Sequence, residues 1–260
     1  MSIIQSAERH SSKLASDNVM HQRHMIAYHE ASNRISGKVL EIGSGEGYGI
    51  EYLAPLVDQY HAVDKFVSNF NLNESEKEKV IFYQMKVPPF QNIADNSFDY
   101  VVSFQVIEHI EKDEFFLREI YRVLKPGGKL ILTTPNREMS LTRNPWHIRE
   151  YFQKEIHILF DKVFDNVEMQ GIFGSQKVME YYNANKLSVS KITKYDILNL
   201  QYKLPRQILQ IPYDLLNRIN RNKLHKNNKN SVNQIQLNDF YIDKTTENCF
   251  DFFMVAEKKE

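Results

Sequence analysis

Four glycines alternate with other residues at Gly43, Gly45, Gly47 and Gly49, directly after the apolar run Lys38-Val-Leu-Glu-Ile42. A turn this rich in glycine lets a ligand approach the backbone more closely than any Cβ permits, and the helix N-terminus behind it favours an anionic group. Asp64 ends the next apolar run about 20 residues later, where a carboxylate can take both ribose hydroxyls of a nucleoside. The spacing departs from the Gly-x-Gly-x-x-Gly of dinucleotide sites, because Tyr48 occupies the place of the third glycine. Glu41 stands just before the glycines, where it would repel a pyrophosphate but could engage an ammonium. These features together suit a nucleoside with a cationic amino-acid end, and S-adenosyl-L-methionine is such a ligand.

A second group of residues could act on an acceptor. His109, in the pair Glu108-His109, follows another strand-like run, and a histidine there can serve as a general base or merely position a loop. His147 and Arg149 lie on a later loop, where they can contact an anionic or sugar acceptor or be plain surface. His21 and His24 share a helical face at three-residue spacing, but no carboxylate or third histidine joins them, so no metal site is expected. The one cysteine, Cys249, excludes an internal disulfide framework and a cysteine-only metal cluster.

Strands and helices must alternate to position these groups. Short apolar runs at 38–43, 59–64, 80–84, 98–104 and 129–134 read as strands. Tyr48–Leu56 and Asp113–Leu124 read as helices, the second stopped by Lys125-Pro-Gly-Gly. Strands separated by helices form βαβ units, and right-handed crossovers make the sheet parallel and doubly wound. Val163–Met169 and Phe250–Ala256 are further strand-like runs. Between them lies a helical segment that Pro205 and Pro212 are expected to break into pieces, followed by an Asn/Lys-rich loop at 226–234.

At 260 residues and 42% hydrophobic, the chain has room for one large domain with a sizeable insertion. Lys+Arg and Asp+Glu are 33 each, so no global field draws it to nucleic acid or an anionic membrane. Charge is nonetheless uneven: residues 183–230 hold ten Lys or Arg against Asp196 and Asp214, which sets that stretch apart at net +8. No run approaches a membrane span, and the start Met1-Ser-Ile-Ile-Gln-Ser turns polar at once, so a cytoplasmic protein without a signal peptide is expected. Oligomeric state is not readable, and a homodimer stays open.

Leu40-Glu-Ile-Gly-Ser-Gly-Glu-Gly-Tyr-Gly49, Asp64, Ser97–Ile110 and Arg122–Asn136, in this order, resemble the class I S-adenosylmethionine-dependent methyltransferases, and most closely the small-molecule branch that includes the ubiquinone-pathway O-methyltransferase. Asn144-Pro-Trp-His-Ile-Arg-Glu-Tyr151 and the ending 240–258 are similar to members found with bacterial glycan biosynthesis. The resemblance implies an α/β fold, a doubly wound, mostly parallel seven-stranded sheet with its last strand antiparallel. It divides the chain into an N-terminal helical cap (1–36), a cofactor-binding core (37–174), a helical insertion or lid (175–245) and the last strand (246–260).

Carried over by position, Glu41, Gly43, Ser44 and Gly45 would line the methionine end, Asp64 would hold the ribose, and Lys65 follows it toward the adenine. Phe104 and Gln105 would face the methionine portion, and Arg23 with His24 would cover its carboxylate from the N-terminal helix. The family commonly places an acid after the third strand to accept the adenine amino group, and the matching residue here is Lys86, which only donates. Either Met85 and backbone groups cover the adenine, or the correspondence shifts by a residue or two. His109 would be the catalytic base, and Asn136, His147 and Arg149 would meet the acceptor, a small molecule such as a sugar or glycan precursor.

Two other readings stay open. The basic insertion could dock RNA or protein, although Val87-Pro-Pro-Phe90 lacks the polar first residue of the nucleic-acid amino-methylation motif and follows the wrong strand. A non-catalytic cofactor-binding scaffold is the third, and the intact glycines and Asp64 speak against it.

Overall fold

The computed structural model describes residues 14–67, 70–227 and 232–260. Residues 1–13 of the expected cap, with the polar start, and 228–231 of the Asn/Lys-rich stretch lie outside the described residues.

A strand covered on both faces must be apolar almost throughout, and β1 (Lys38–Ile42) is buried at every residue after Lys38. It pairs in parallel with β2 (Gln59–Asp64) on one side, and β2 carries β3 (Val80–Gln84) beyond it. On its other side it pairs in parallel with β4 (Phe98–Phe104), which carries β5 (Leu124–Pro135). After β6 (Asn166–Gly174) and β7 (Phe240–Lys244), the final β8 (Asp251–Glu257) inserts between β5 and β6, antiparallel to both. The sheet order is β3-β2-β1-β4-β5-β8-β6-β7.

The antiparallel last strand is as the sequence implies, but the sheet holds eight strands rather than seven. The extra one, β7, pairs with the outer edge of β6 inside the stretch expected to be a helical insertion. It is five residues long and buries only Phe240; its Phe240-Tyr-Ile run is β-favouring but too short to be told from part of the helical insertion by periodicity.

Alternation along β1 sorts the two faces. Val39 packs with α1 (Asn18–Ser32) and α2 (Tyr48–Leu53), whereas Leu40 and Ile42 pack with helices of the opposite layer. The short α3 (Glu74–Lys77), closed by an Asn73–Glu76 capping box, buries nothing. The opposite layer is built by α4 (Asp113–Val123), through Phe116, Leu117 and Ile120, and α5 (Gln153–Asp161), through Ile156 and Phe160.

Beyond β6 come α6 (Gln176–Thr193), α7 (Leu200–Lys203) and α8 (Arg206–Asn227). Pro205 precedes α8, but Pro212 lies inside it and does not break it. A proline costs a helix interior roughly 3 kcal/mol, and contacts on its C-terminal side offset that penalty. Arg218 and Arg221 both meet the buried Asp17, and Asn220 bonds Ser188 and Asn185 of α6.

Gly49 is where α2 comes closest to its neighbours: a Cβ there would overlap the Tyr28 ring and the Glu41 carboxylate. Gly49→Ala should therefore destabilise the fold by about 1–3 kcal/mol, an overpacking cost. Gly→Ala in an unconstrained helix instead stabilises by roughly 0.5–1 kcal/mol. Urea unfolding checks the sign, and a raised midpoint would show that the contact is not rigid.

Candidate active site

The carboxyl ends of the parallel strands form one rim, and the glycine loop and Asp64 meet there. Gly45 adopts φ +54°, and a Cβ on it would find nothing nearer than the Gly43 carbonyl oxygen at 4.0 Å, so the loop faces open space. The Asp64 carboxylate accepts the Gly45 N–H at 2.9 Å and the Phe66 N–H at 2.8 Å. Two carboxylate oxygens offer about four lone-pair positions, so Asp64 retains capacity for a pair of hydroxyls. Ser44 is buried in the loop, and its N–H and that of Gly43 reach the Val63 carbonyl. An open loop beside a half-buried acid fits a nucleoside cofactor.

Glu41 sits behind this loop rather than in it. Its two oxygens accept from Tyr28 Oη at 2.7 Å and Tyr60 Oη at 2.9 Å, and it is 1% exposed. Burial pushes its carboxyl up to about 7, against the pull of the two tyrosine hydroxyls. The expected contact with a methionine ammonium is therefore replaced by an internal role, because the side chain points into the α1–α2 layer. Toward the adenine side, Lys65 stands over the Phe66 ring, its Nζ 5.2 Å from the centroid. Met85 packs partly buried against the core while its N–H bonds the Asp64 carbonyl, and Lys86 is exposed.

Beside the loop, β4 ends on the other half of the site. Phe104 packs edge-on against Tyr28 at 4.7 Å. Gln105 turns the chain at φ +57°, and its amide nitrogen donates to Thr133 Oγ1 and Asp251 Oδ1, both at 3.2 Å. What Gln105 has left to offer a ligand is its amide oxygen. Val106 lies over Gly43, where a Cβ would collide with it, so the loop and the end of β4 are in direct contact.

Next, His109 Nδ1 lies 3.1 Å from the Trp146 carbonyl oxygen. A carbonyl only accepts, so Nδ1 carries the proton and the lone pair of the neutral ring is on Nε2. His147 stands edge-on to it with centroids 4.9 Å apart. Its Nδ1 donates to Glu150 at 2.6 Å and its Nε2 accepts from the Asn144 amide at 2.9 Å. Glu150 also accepts from the Ser140 hydroxyl. Glu108 is buried with one oxygen accepting from Thr134 at 3.0 Å and the other without a hydrogen-bond partner. Burial holds its carboxyl above the usual range despite the nearby histidines.

Glu108, His109 and His147 bring one ligand atom each within 4.8 Å of one another, a donor set the sequence reading did not assemble. Metal binding by His147 would require one of its two hydrogen bonds to yield. This group opens onto a cavity of about 450 Å³ whose walls are α1, the ends of β4 and β5, the 139–147 loop, α6 and α8.

A methyltransferase domain family model matches residues 40–132. A probable S-adenosylmethionine-dependent methyltransferase of Mycobacterium tuberculosis is 35% identical over 182 residues, 67% of this chain and 66% of the relative. A counterpart from Mycolicibacterium smegmatis is 31% identical over 175 residues, 65% of this chain and 68% of the relative.

The chain belongs to the S-adenosylmethionine-dependent methyltransferases.

It spans 66% of the length of the tuberculosis relative. Mouse mitochondrial ubiquinone biosynthesis O-methyltransferase is 35% identical over 121 residues, 43% of this chain and 32% of that one. Among solved structures, a SAM-dependent methyltransferase from Thermotoga maritima superposes with TM-score 0.52 at 15% identity, covering 93% of this chain and 92% of that one, which shows the shared fold.

Several residues of this methyltransferase stand elsewhere than the sequence implies. Arg23 lines the cavity, but its guanidinium is engaged by the buried Asp251 carboxylate and the Phe250 carbonyl. His24, beside it on the cavity wall, reaches Tyr48 Oη at 3.5 Å. Asn136 lines the cavity, but it spends its amide nitrogen on the Glu247 and Cys249 carbonyls and its oxygen on the Glu138 N–H, so its amide is held by the protein's own groups. Arg149 points away from the cavity and pairs with Asp113 at 2.7 Å. Nothing local in the sequence announces Tyr28, Val106 or Asp251 as parts of the site. Glu150 was open to detection, being three residues beyond His147.

Glu41 generates a pH test. Its ordinary value of 4.5 rises to about 7 in the folded chain, so between those values the folded chain keeps a proton that the unfolded chain has lost. Stability therefore falls as pH rises through that window. Glu41→Gln, which stays neutral, should remove up to about 3 kcal/mol of the fall. Urea unfolding at about pH 5 and about pH 8 compares the two proteins; equal losses in both would show that Glu41 is ionised throughout.

Proposed function

We propose that this methyltransferase methylates a hydroxyl oxygen of a small polar molecule, a sugar or glycan precursor, held in the 450 Å³ cavity. The observation that carries the reading is His109, whose Nδ1 bond to the Trp146 carbonyl leaves Nε2 as the proton-accepting nitrogen of a cavity-lining ring. An amine acceptor needs only to arrive deprotonated, whereas a hydroxyl gains from a base fixed in this tautomer. The cavity volume lies in the range of small-molecule sites. Gln105, Asn144, His147 and Asn185 supply polar edges, while Tyr181 and Tyr182 supply flat apolar ones.

S-adenosylmethionine, when bound, supplies a methyl carbon whose bond to sulfur breaks as the acceptor oxygen bonds to it, with the electron pair remaining on sulfur. The chain's own work is alignment, exclusion of water and removal of one proton. Asp64 holds the ribose, and Ser44 and Gly45 line the methionine end. His109 Nε2 receives the hydroxyl proton. The His147–Glu150 pair keeps an oriented polar edge beside His109, and α6 and α8 close the cavity over it.

Asp64→Ala removes two ribose contacts and should weaken S-adenosylhomocysteine binding by about 2–3 kcal/mol. Isothermal calorimetry reads this directly, and an unchanged affinity would remove Asp64 from the cofactor site. His109→Ala should lower kcat by about 10²–10⁴ with cofactor affinity kept. The assay is a mass-shift methyl-transfer screen over sugars, nucleotide sugars, aminosugars, phenols and tRNA. A fully active variant would make His109 a packing residue, and modification of tRNA alone would replace the small-molecule acceptor.

A further inference from the structure

The outward stripe of α8 is apolar where a solvent-facing helix should be polar. Ile208, Ile211, Leu215 and Ile219 follow at three- and four-residue steps and are 60%, 76%, 55% and 54% exposed. The cavity takes a different stripe of the same helix, Leu209, Tyr213, Leu216 and Asn220, so burial against the strand rim, which the sequence pattern of this segment implies, does not account for them. The connection from α6 to α8 adds further exposed apolar residues: Ile197 is 85% exposed, and Tyr195 and Leu198 are exposed beside it in the chain.

Lysines accompany these residues. Lys186, Lys191, Lys194, Lys203 and Lys223 are all exposed on the same two helices and their connection. The three acids on these elements are engaged inward or locally: Asp214 accepts from the Trp146 indole, Asp196 accepts the Leu200 and Gln201 N–H groups, and the exposed Glu180, in the first turns of α6, accepts from Gln176.

The combination selects the occupant. A nucleic-acid backbone answers lysines but has no use for exposed isoleucines and leucines. A second copy brings an apolar face but also sets these lysines against their own images. An anionic bilayer surface takes both, the apolar side chains at the headgroup–acyl boundary and the lysines against lipid phosphates. No helix among the described residues is long and apolar enough to cross a membrane, so the helices would lie in the surface plane.

We infer that the outer face of α6–α8 docks on an anionic lipid bilayer. A helix is about 10 Å across, so docking holds the cavity on the inner side of α8 about that far from the headgroups. Docking stands whether or not the acceptor is a sugar.

The test is co-sedimentation of the full chain with vesicles of phosphatidylcholine alone and of phosphatidylcholine mixed with phosphatidylglycerol. The chain should pellet with the mixed vesicles and far less with the neutral ones. Binding should weaken at about 1 M salt, where the screening length falls to about 3 Å. Lys191→Glu with Lys194→Glu should lower partitioning roughly tenfold or more, since each lysine at an anionic surface contributes about fivefold. Ile197→Ser with Ile211→Ser should lower it independently of charge. None of these four residues lines the cavity, so S-adenosylhomocysteine affinity, retained in both variants, reports that they are folded. Three results would overturn the proposal: no pelleting of the parent chain, undiminished pelleting of both variants, or a dimer in sedimentation velocity that the Ile197/Ile211 variant dissolves. Because vesicle binding is read without turnover, a failed acceptor screen leaves it intact, and its failure leaves the His109 reading intact.

Discussion

A carboxylate buried among apolar groups is tolerated only when its oxygens are satisfied, and Glu41 meets that condition with hydroxyls from two different elements. Tyr28 comes from α1 and Tyr60 from β2, so the acid at the end of β1 joins the N-terminal helix to the sheet directly beneath the glycine loop. Gly49 completes the arrangement, because only a residue without a Cβ lets α2 approach Tyr28 and Glu41 this closely. Tyr28 then carries Phe104 on its ring, which brings the end of β4 into the same cluster. The position of the loop, and with it that of Asp64 through the Gly45 N–H, is tied to this one buried acid with both oxygens satisfied.

The acceptor side depends on a different kind of constraint. Its histidines come from segments 38 residues apart in the chain, His109 just past β4 and His147 after β5. What joins them is backbone: the Ile148 N–H donates to the Glu108 carbonyl at 2.7 Å, and the Trp146 carbonyl accepts from His109. The same contacts that fold the 139–147 loop against the strand end thus select the tautomer of His109. Arg23 and Asp251 act in the same way from below. Their pairing ties α1 to β8 and places Gln105, which also donates to Asp251, at the cavity wall. Two hydrogen-bonded groups, one around His109 and one around Asp251, thus fix the side chains on this part of the cavity wall.

The α6–α8 segment divides its labour by helix face. The inner stripe of α8 walls the cavity, its C-terminal part is held by Asp17, Asn185 and Ser188, and its outer stripe is apolar without a partner among the described residues. A helix carrying apolar residues on both sides resists interpretation from periodicity alone, since the pattern states how many faces are apolar but not what covers them.

The sequence by itself determined what short-range chemistry controls. Strands β1, β2, β3 and β4 were legible within a residue, because parallel strands, whether buried like β1 or at the sheet edge like β3, are short runs of β-branched, aliphatic and aromatic residues bounded by polar turns. The glycine loop and the place of Asp64 at the end of β2 were legible because a tight strand-to-helix turn and a strand end impose residue types at fixed spacing. Tertiary structure alone decided matters that turn on which distant group arrives. Glu41 reads as a ligand acid until Tyr28 and Tyr60 occupy it. Arg23 reads as a cofactor contact until Asp251, 228 residues away, pairs with it. Arg149 reads as an acceptor contact until Asp113 turns it outward. The edge strand β7 and the continuity of α8 through Pro212 belong to the same class, since pairing with β6 and the ion pairs to Asp17 outweigh weak or contrary local signals. A charged or polar side chain declares its chemistry in sequence, but its partner is chosen by the fold, because the strongest available hydrogen bond or ion pair forms only between groups that packing has already brought together.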